Sequence, residues 1–149
     1  MNTKQGLIGA LAGGVALYVT GYLIFDLTFR GFYAANGGSA TGVDRAPQII
    51  WAMAVANLAY ATLITFVIAN RSGATSIGGG ARTGAIVGFL LWMTVDFVLY
   101  ASTNVANLNR TMVDPLLEIV HGGIGGAVIA MVLARMNASD HKPVYAAAG

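Results

Sequence analysis

Apolar residues in this chain fall into four long runs separated by short polar stretches. The runs extend from Gly6 to Phe29, from Pro47 to Ala69, from Ala81 to Thr103 and from Pro115 to Arg135. Each is about as long as the roughly 20 residues a helix needs to cross hydrocarbon. The pattern predicts an all-α, polytopic membrane four-helix bundle with helices over about 6–29, 47–69, 81–103 and 115–135. A flexible, polar and then Ala-rich tail is expected over 136–149. The first run follows a basic start, as a signal peptide would. It is longer than the roughly 7–15 apolar residues of such a peptide, and Asp26 interrupts it late, so a retained span is expected.

The polar stretches carry turn chemistry. Arg30 to Ala46 contains Ala35-Asn36-Gly37-Gly38-Ser39 and reads as a loop. Pro47 suits the first turn of the second helix, where its missing N–H costs nothing. Asn70 to Gly80 reads as a second loop ending in Gly78-Gly79-Gly80. This triplet lies beside Arg82 but lacks the Gly-Lys-Ser/Thr ending and the preceding strand of a phosphate-binding P-loop, so it reads as a linker. Asn104 to Met112 is a short polar turn, after which Asp114-Pro115 predicts the start of the fourth helix, with Asp as cap and Pro at the first position. Gly84 and Gly88 form a small-xxx-small pair, and Gly122, Gly123, Gly125 and Gly126 crowd the fourth helix. Such faces let helices approach closely and also allow a homo-oligomer or a membrane-protein partner to dock.

Four spans put both termini on one side of the bilayer. Lys4, Arg71, Arg82, Arg135 and Lys142 share that side, against Arg30, Arg45 and Arg110 on the other, which predicts cytoplasmic termini. Only 9% of the 149 residues are charged and 56% are hydrophobic. Soluble domains carry about 25% charged residues, so the lipid bilayer is the expected surroundings and one bundle fills the length. Cysteine is absent, which excludes disulfides and thiolate chemistry. The net charge of +2 is spread over isolated residues, which gives no nucleic-acid footprint.

Ionisable residues inside apolar helices are costly and mark candidate sites. Asp26, Asp96, Glu118 and His121 come from three spans and are predicted to meet in the outer half of the bundle. Glu118 and His121 are spaced i,i+3 and share a helix face. Two four-residue-step stripes, Tyr18-Tyr22-Asp26-Arg30 and Gly88-Trp92-Asp96-Tyr100, are expected to turn inward, with Asn57 lower on the same axis. The candidate ligand- or ion-binding set is therefore Asp26, Asp96, Glu118, His121, Tyr22, Trp92, Tyr100 and Asn57. Plainer readings stand beside it. Asp26 can pair with Arg30, Glu118 can complement the dipole of a first helical turn, and His121 can be a packed neutral histidine. The aromatic residues suit an interfacial belt. Glu118-x-x-His121 is half of a carboxylate-bridged di-metal motif. Asp96, Glu118 and His121 offer at most a mononuclear metal site. His141, the only other histidine, lies in the tail and leaves no bis-histidine haem. No cofactor is expected, and no nucleophile with a positioned base is visible, so an enzyme is not expected.

Three short motifs carry a family likeness: Gly21-Tyr22-Leu23-Ile24-Phe25-Asp26 with Phe32-Tyr33, Gly84-x-x-x-Gly88, and Glu118-x-x-His121-Gly122. Over most of the four spans the chain resembles small bacterial inner-membrane families known only as domains of unknown function. Asp is the more usual residue there where this chain has Glu118. The resemblance implies a multi-pass inner-membrane protein and supplies no activity. Binding or permeation of protons, a cation or a small polar solute is the function expected first. An accessory or structural subunit of a larger membrane complex is the alternative, and a lipid- or quinone-modifying enzyme a distant third.

Overall fold

The computed structural model describes residues 3–71 and 73–140. Helix α1 covers Thr3–Gly21 and continues without a break into a π-helical segment, Tyr22–Thr28. A short α2 (Arg30–Ala35) follows, then α3 (Ile50–Ala69), α4 (Ile77–Ser102) and α5 (Leu108–Asp140). Among the described residues there is no strand, only one isolated bridge between Gly37 and Ala106. Four segments are long and apolar enough to cross a membrane: Thr3–Thr28, Ile50–Ala69, Ile77–Ser102 and Leu108–Ala138. The chain is an all-α multi-pass membrane bundle. The end of the bundle with Thr3, Ala69 and Ile77 is called inner below, and the end with Ile50, Ser102 and Leu108 outer.

Helix α5 is the axis of the molecule. It touches α1, α3 and α4, whereas α4 packs almost wholly on α5. The α4–α5 seam is backbone against backbone. Gly80 and Gly84 lie on Gly126 and Gly122, and Gly88 lies on the Glu118 carbonyl. A Cβ at Gly122 would sit 2.5 Å from the Gly84 carbonyl oxygen, a contact that backbone cannot relieve. The small-residue faces expected to serve an oligomer or partner, Gly84/Gly88 and Gly122/Gly126, are thus spent against each other within the chain. On the other side of α5, the inner half is closed by Ile64, Ile68, Ala74, Ile129 and Leu133 beneath Leu17.

Several boundaries differ from those predicted, each for a local reason. Helix α3 begins at Ile50, so Pro47 lies in the preceding loop instead of the first turn. Residues 30–35, read as loop, form α2. The glycine triplet is not a linker but the first turn of α4. Ser76 caps this helix by accepting the Gly79 N–H at 3.0 Å, and Gly80 must be small to lie against Gly126. The largest shift is in α5, which starts at Leu108. Asn107 is its cap, its Oδ1 accepting the Arg110 N–H at 3.0 Å. Asp114 and Pro115 therefore lie inside the helix, nearly two turns from its start. The tail was predicted to begin at Met136, yet α5 runs on to Asp140; residues 141–149 lie outside the described residues.

The outer end is held by main-chain bonds between the two loops there. Gly38 N–H donates to Val105 O at 3.2 Å and Ala40 N–H to Asn104 O at 3.0 Å. The amides of Asn107 and Asn109 both donate to Asn36 Oδ1, at 3.2 and 3.4 Å. This stitching fixes α2, and with it Tyr33, over the start of α5.

Candidate functional site

The new start of α5 changes what its polar residues face. Asp114, Glu118 and His121 follow at i, i+4 and i+7, so all three lie on one face of the helix. That face turns toward α1, α2 and α3. Glu118 is 2% exposed and His121 5%. Tyr60, at the midpoint of α3, reaches across and donates its hydroxyl to Glu118 Oε2 at 3.2 Å. Its hydroxyl lies where a Cβ of Gly88 or Gly122 would stand, so the glycine seam also makes room for it.

Both nitrogens of the imidazole are engaged. Nε2 lies 2.9 Å from the Leu17 carbonyl oxygen of α1, and Nδ1 lies 3.0 and 3.1 Å from the two carboxyl oxygens of Glu118. A carbonyl oxygen only accepts, so Nε2 carries a hydrogen. The Nδ1–carboxyl bond then holds one further proton, shared between Glu118 and His121. Whether that proton sits on nitrogen or oxygen, the bonded pair has zero net charge, which suits a buried position. Gly21 leaves the ring its room, since a Cβ there would lie 3.3 Å from Nε2. Phe25 and Tyr60 close over the ring edge-on, with centroids 5.4 and 6.0 Å away.

A second pairing lies outward of the first. The Tyr33 hydroxyl donates to Asp114 Oδ1, and the Arg110 guanidinium stands 5.0 Å over the Tyr33 ring. Phe25 packs edge-on against Tyr33 as well as His121, which places the two pairings side by side. Together they tie α5 to α1, α2 and α3.

The structure places the sequence-predicted residues in three groups. Glu118 and His121 are bonded to each other. They lie level with Leu17, Tyr60 and Gly88, near the middle of their spans, and not in the outer half. That depth follows from the earlier start of α5, which also removes Glu118 from the first turn. Asp96 and Trp92 form the second group. They are half-buried on α4, and Asp96 Oδ2 and Trp92 Nε1 are both enclosed without a hydrogen-bond partner. The remaining residues do not join. Asp26 receives the Gln48 side-chain amide at 3.4 Å near the outer surface, instead of Arg30 or the cluster. Asn57 donates to Met53 O of its own helix at 2.9 Å. Tyr22 is 54% and Tyr100 42% exposed. The Tyr18-Tyr22-Asp26 stripe is not an inward face. Tyr18 is already exposed within α1, and the passage from α to π winding at Tyr22 then resets the angular register on the way to Asp26.

Among the described residues, no group of three His, Cys, Asp or Glu side chains could hold a metal ion. Asp96, Glu118 and His121 do not make one, because the imidazole spends Nε2 on Leu17 and Nδ1 on Glu118. Sequence reasoning missed Tyr60, Asp114, Tyr33 and the Leu17 carbonyl. Asp114 was legible as i−4 to Glu118, and its place beside Pro115 hid it as a cap. A carbonyl leaves no trace in sequence. Compared with known proteins, the chain matches no family model, no curated protein and no solved structure.

Proposed function

We propose that this chain is a non-catalytic structural protein of the bacterial inner membrane, an accessory subunit whose central acid–histidine cluster fastens the bundle. The observation that carries this reading is the saturation of the Glu118–His121 pair by its own chain. Tyr60, His121 and the Leu17 carbonyl use its donors and acceptors, and an apolar core of Ile64, Ile68, Ile129 and Leu133 lies inward of it. Such an arrangement suits a clasp better than a transmembrane path for a proton or solute. The inner-membrane assignment, with cytoplasmic termini, rests on the motif likeness and on the distribution of Lys and Arg.

Glu118→Gln tests it. The variant should melt at lower temperature in detergent and be recovered less often in native-membrane assemblies. Proton flux in reconstituted vesicles should equal that of the wild type. Lost flux at an unchanged melting temperature would overturn the proposal.

One observation favours a second reading, binding of a proton, a cation or a small polar solute. Asp96 Oδ2 and Trp92 Nε1 are an enclosed acceptor and donor one helical turn apart, both without a hydrogen-bond partner. Asp96→Asn should then abolish uptake or flux in vesicles while leaving stability unchanged. The same flux in both proteins removes this reading.

A further inference from the structure

The inner end of the bundle holds a feature that the clasp does not use. Between the spans Ile50–Ala69 and Ile77–Ser102, the chain turns back over the first turn of α4. Gly73 takes a φ of +76° there, a conformation that glycine adopts at little cost. The turn leaves a cavity of about 160 Å³ lined by Arg71, Gly73, Ala74, Gly79 and Arg82. This is roughly ten times the 10–15 Å³ that one water needs, so it has room for a polyatomic ion.

Two arginines line this cavity and, among the described residues, no acidic residue does. Among the described residues neither Arg71 nor Arg82 forms an ion pair with a carboxylate. Arg71 is also held in place. Its Nη1 donates to Thr83 Oγ1 at 3.3 Å, and the Thr83 hydroxyl donates in turn to Gly79 O at 2.8 Å. Thr83 is 1% exposed, so a buried hydroxyl fixes an otherwise exposed arginine at the cavity wall. Gly79, which also lines the cavity, belongs to the first turn of α4, whose dipole adds positive potential. Guanidinium groups match phosphate oxygens with paired N–H donors. The cavity also lies where two membrane spans meet their connecting loop, the level at which lipid headgroups sit.

We propose that this cavity binds a phosphate group, presented by the headgroup of an anionic membrane lipid. Arg71 and Arg82 supply the charge, and Thr83 is a positioning residue acting through Arg71.

The test uses the full chain in mild detergent, exchanged into phosphatidylglycerol or phosphatidylcholine and weighed by native mass spectrometry. The wild type should retain phosphatidylglycerol in preference to phosphatidylcholine. Arg71→Gln and Arg82→Gln should each weaken retention roughly five-fold, the usual effect of one basic residue near a membrane surface. The Arg82 side chain is exposed, so the melting temperature of Arg82→Gln should not move. Thr83→Val should weaken retention as Arg71→Gln does, and Thr83→Ser should restore it. A parallel calorimetric titration with inorganic phosphate separates the sources. Arginine-dependent phosphate binding without lipid retention keeps the site and assigns it to a soluble anion. Equal retention of phosphatidylglycerol by the Arg71→Gln/Arg82→Gln double variant, with no arginine-dependent phosphate binding, overturns the proposal.

Discussion

Helix α5 meets its neighbours in two different ways. Toward α4 it presents Gly122 and Gly126, and contact is made by main chain against main chain. Toward α1, α2 and α3 it presents Asp114, Glu118 and His121, and contact is made by directed hydrogen bonds. Lipid tails are as apolar as leucine, so burying apolar side chains gains little inside a bilayer. Close packing and interhelical hydrogen bonds remain. Helix α5 packs closely against α4 and adds the hydrogen bonds on its other side, where Gly125 also packs against Leu17 and Ile129 against Gly13. The seam tolerates no added atom, whereas the polar side tolerates no missing partner. Tyr60 joins the two, because its hydroxyl touches the glycine seam and bonds Glu118.

Glu118→Ala should have the largest effect of any substitution on α5. It strands the Nδ1 side of a buried histidine, and breaking one half of a buried pair costs about 3–5 kcal/mol. The readout is melting temperature and folded yield in detergent; a change as small as that of an exposed residue would show that the polar side contributes little. Gly122→Val comes next, at about 1–3 kcal/mol of overpacking, since its Cβ would meet the Gly84 carbonyl. If α4 can slide outward freely, thermal melting will hardly change and the seam is not the rigid partner described. Tyr60→Phe should have the smallest effect, about 0.6–1.7 kcal/mol, the range for one interhelical hydrogen bond in a membrane. It also sharpens the comparison. Removing that hydroxyl opens space beside Gly88, so Gly88→Ala should be less harmful in the Tyr60→Phe background than alone. Strict additivity in that double-mutant cycle would mean the two sides of α5 are independent.

The four spans were legible because length and apolarity are properties of the chain itself. So was the Glu118–His121 step, since i,i+3 spacing sets a shared face on any α-helix. The depth of the site was not. It hinged on where α5 begins, and two signals competed for that start. Asp114-Pro115 matched the usual cap and first-turn pair, yet Asn107 takes the capping role seven residues earlier. The error moved Glu118 toward the surface and concealed Asp114 as a cap. The aromatic stripe of α1 failed for another reason. Its face already looks outward at Tyr18, and the four-residue step to Asp26 presumes α winding, which ends at Gly21. The small-xxx-small pair was read correctly as a close-approach motif, but nothing in it says whether the partner lies in the same chain.

The Leu17 carbonyl has a consequence for how this bundle should be probed. Every residue type offers that same oxygen, so α1's share in holding the imidazole is encoded by backbone position and not by side-chain identity. Scanning α1 with alanine would report only the packing of the Leu17 side chain and pass over the acceptor beneath it. An amide-to-ester exchange between Leu17 and Tyr18, which weakens that one carbonyl as an acceptor, is the change that would reveal it.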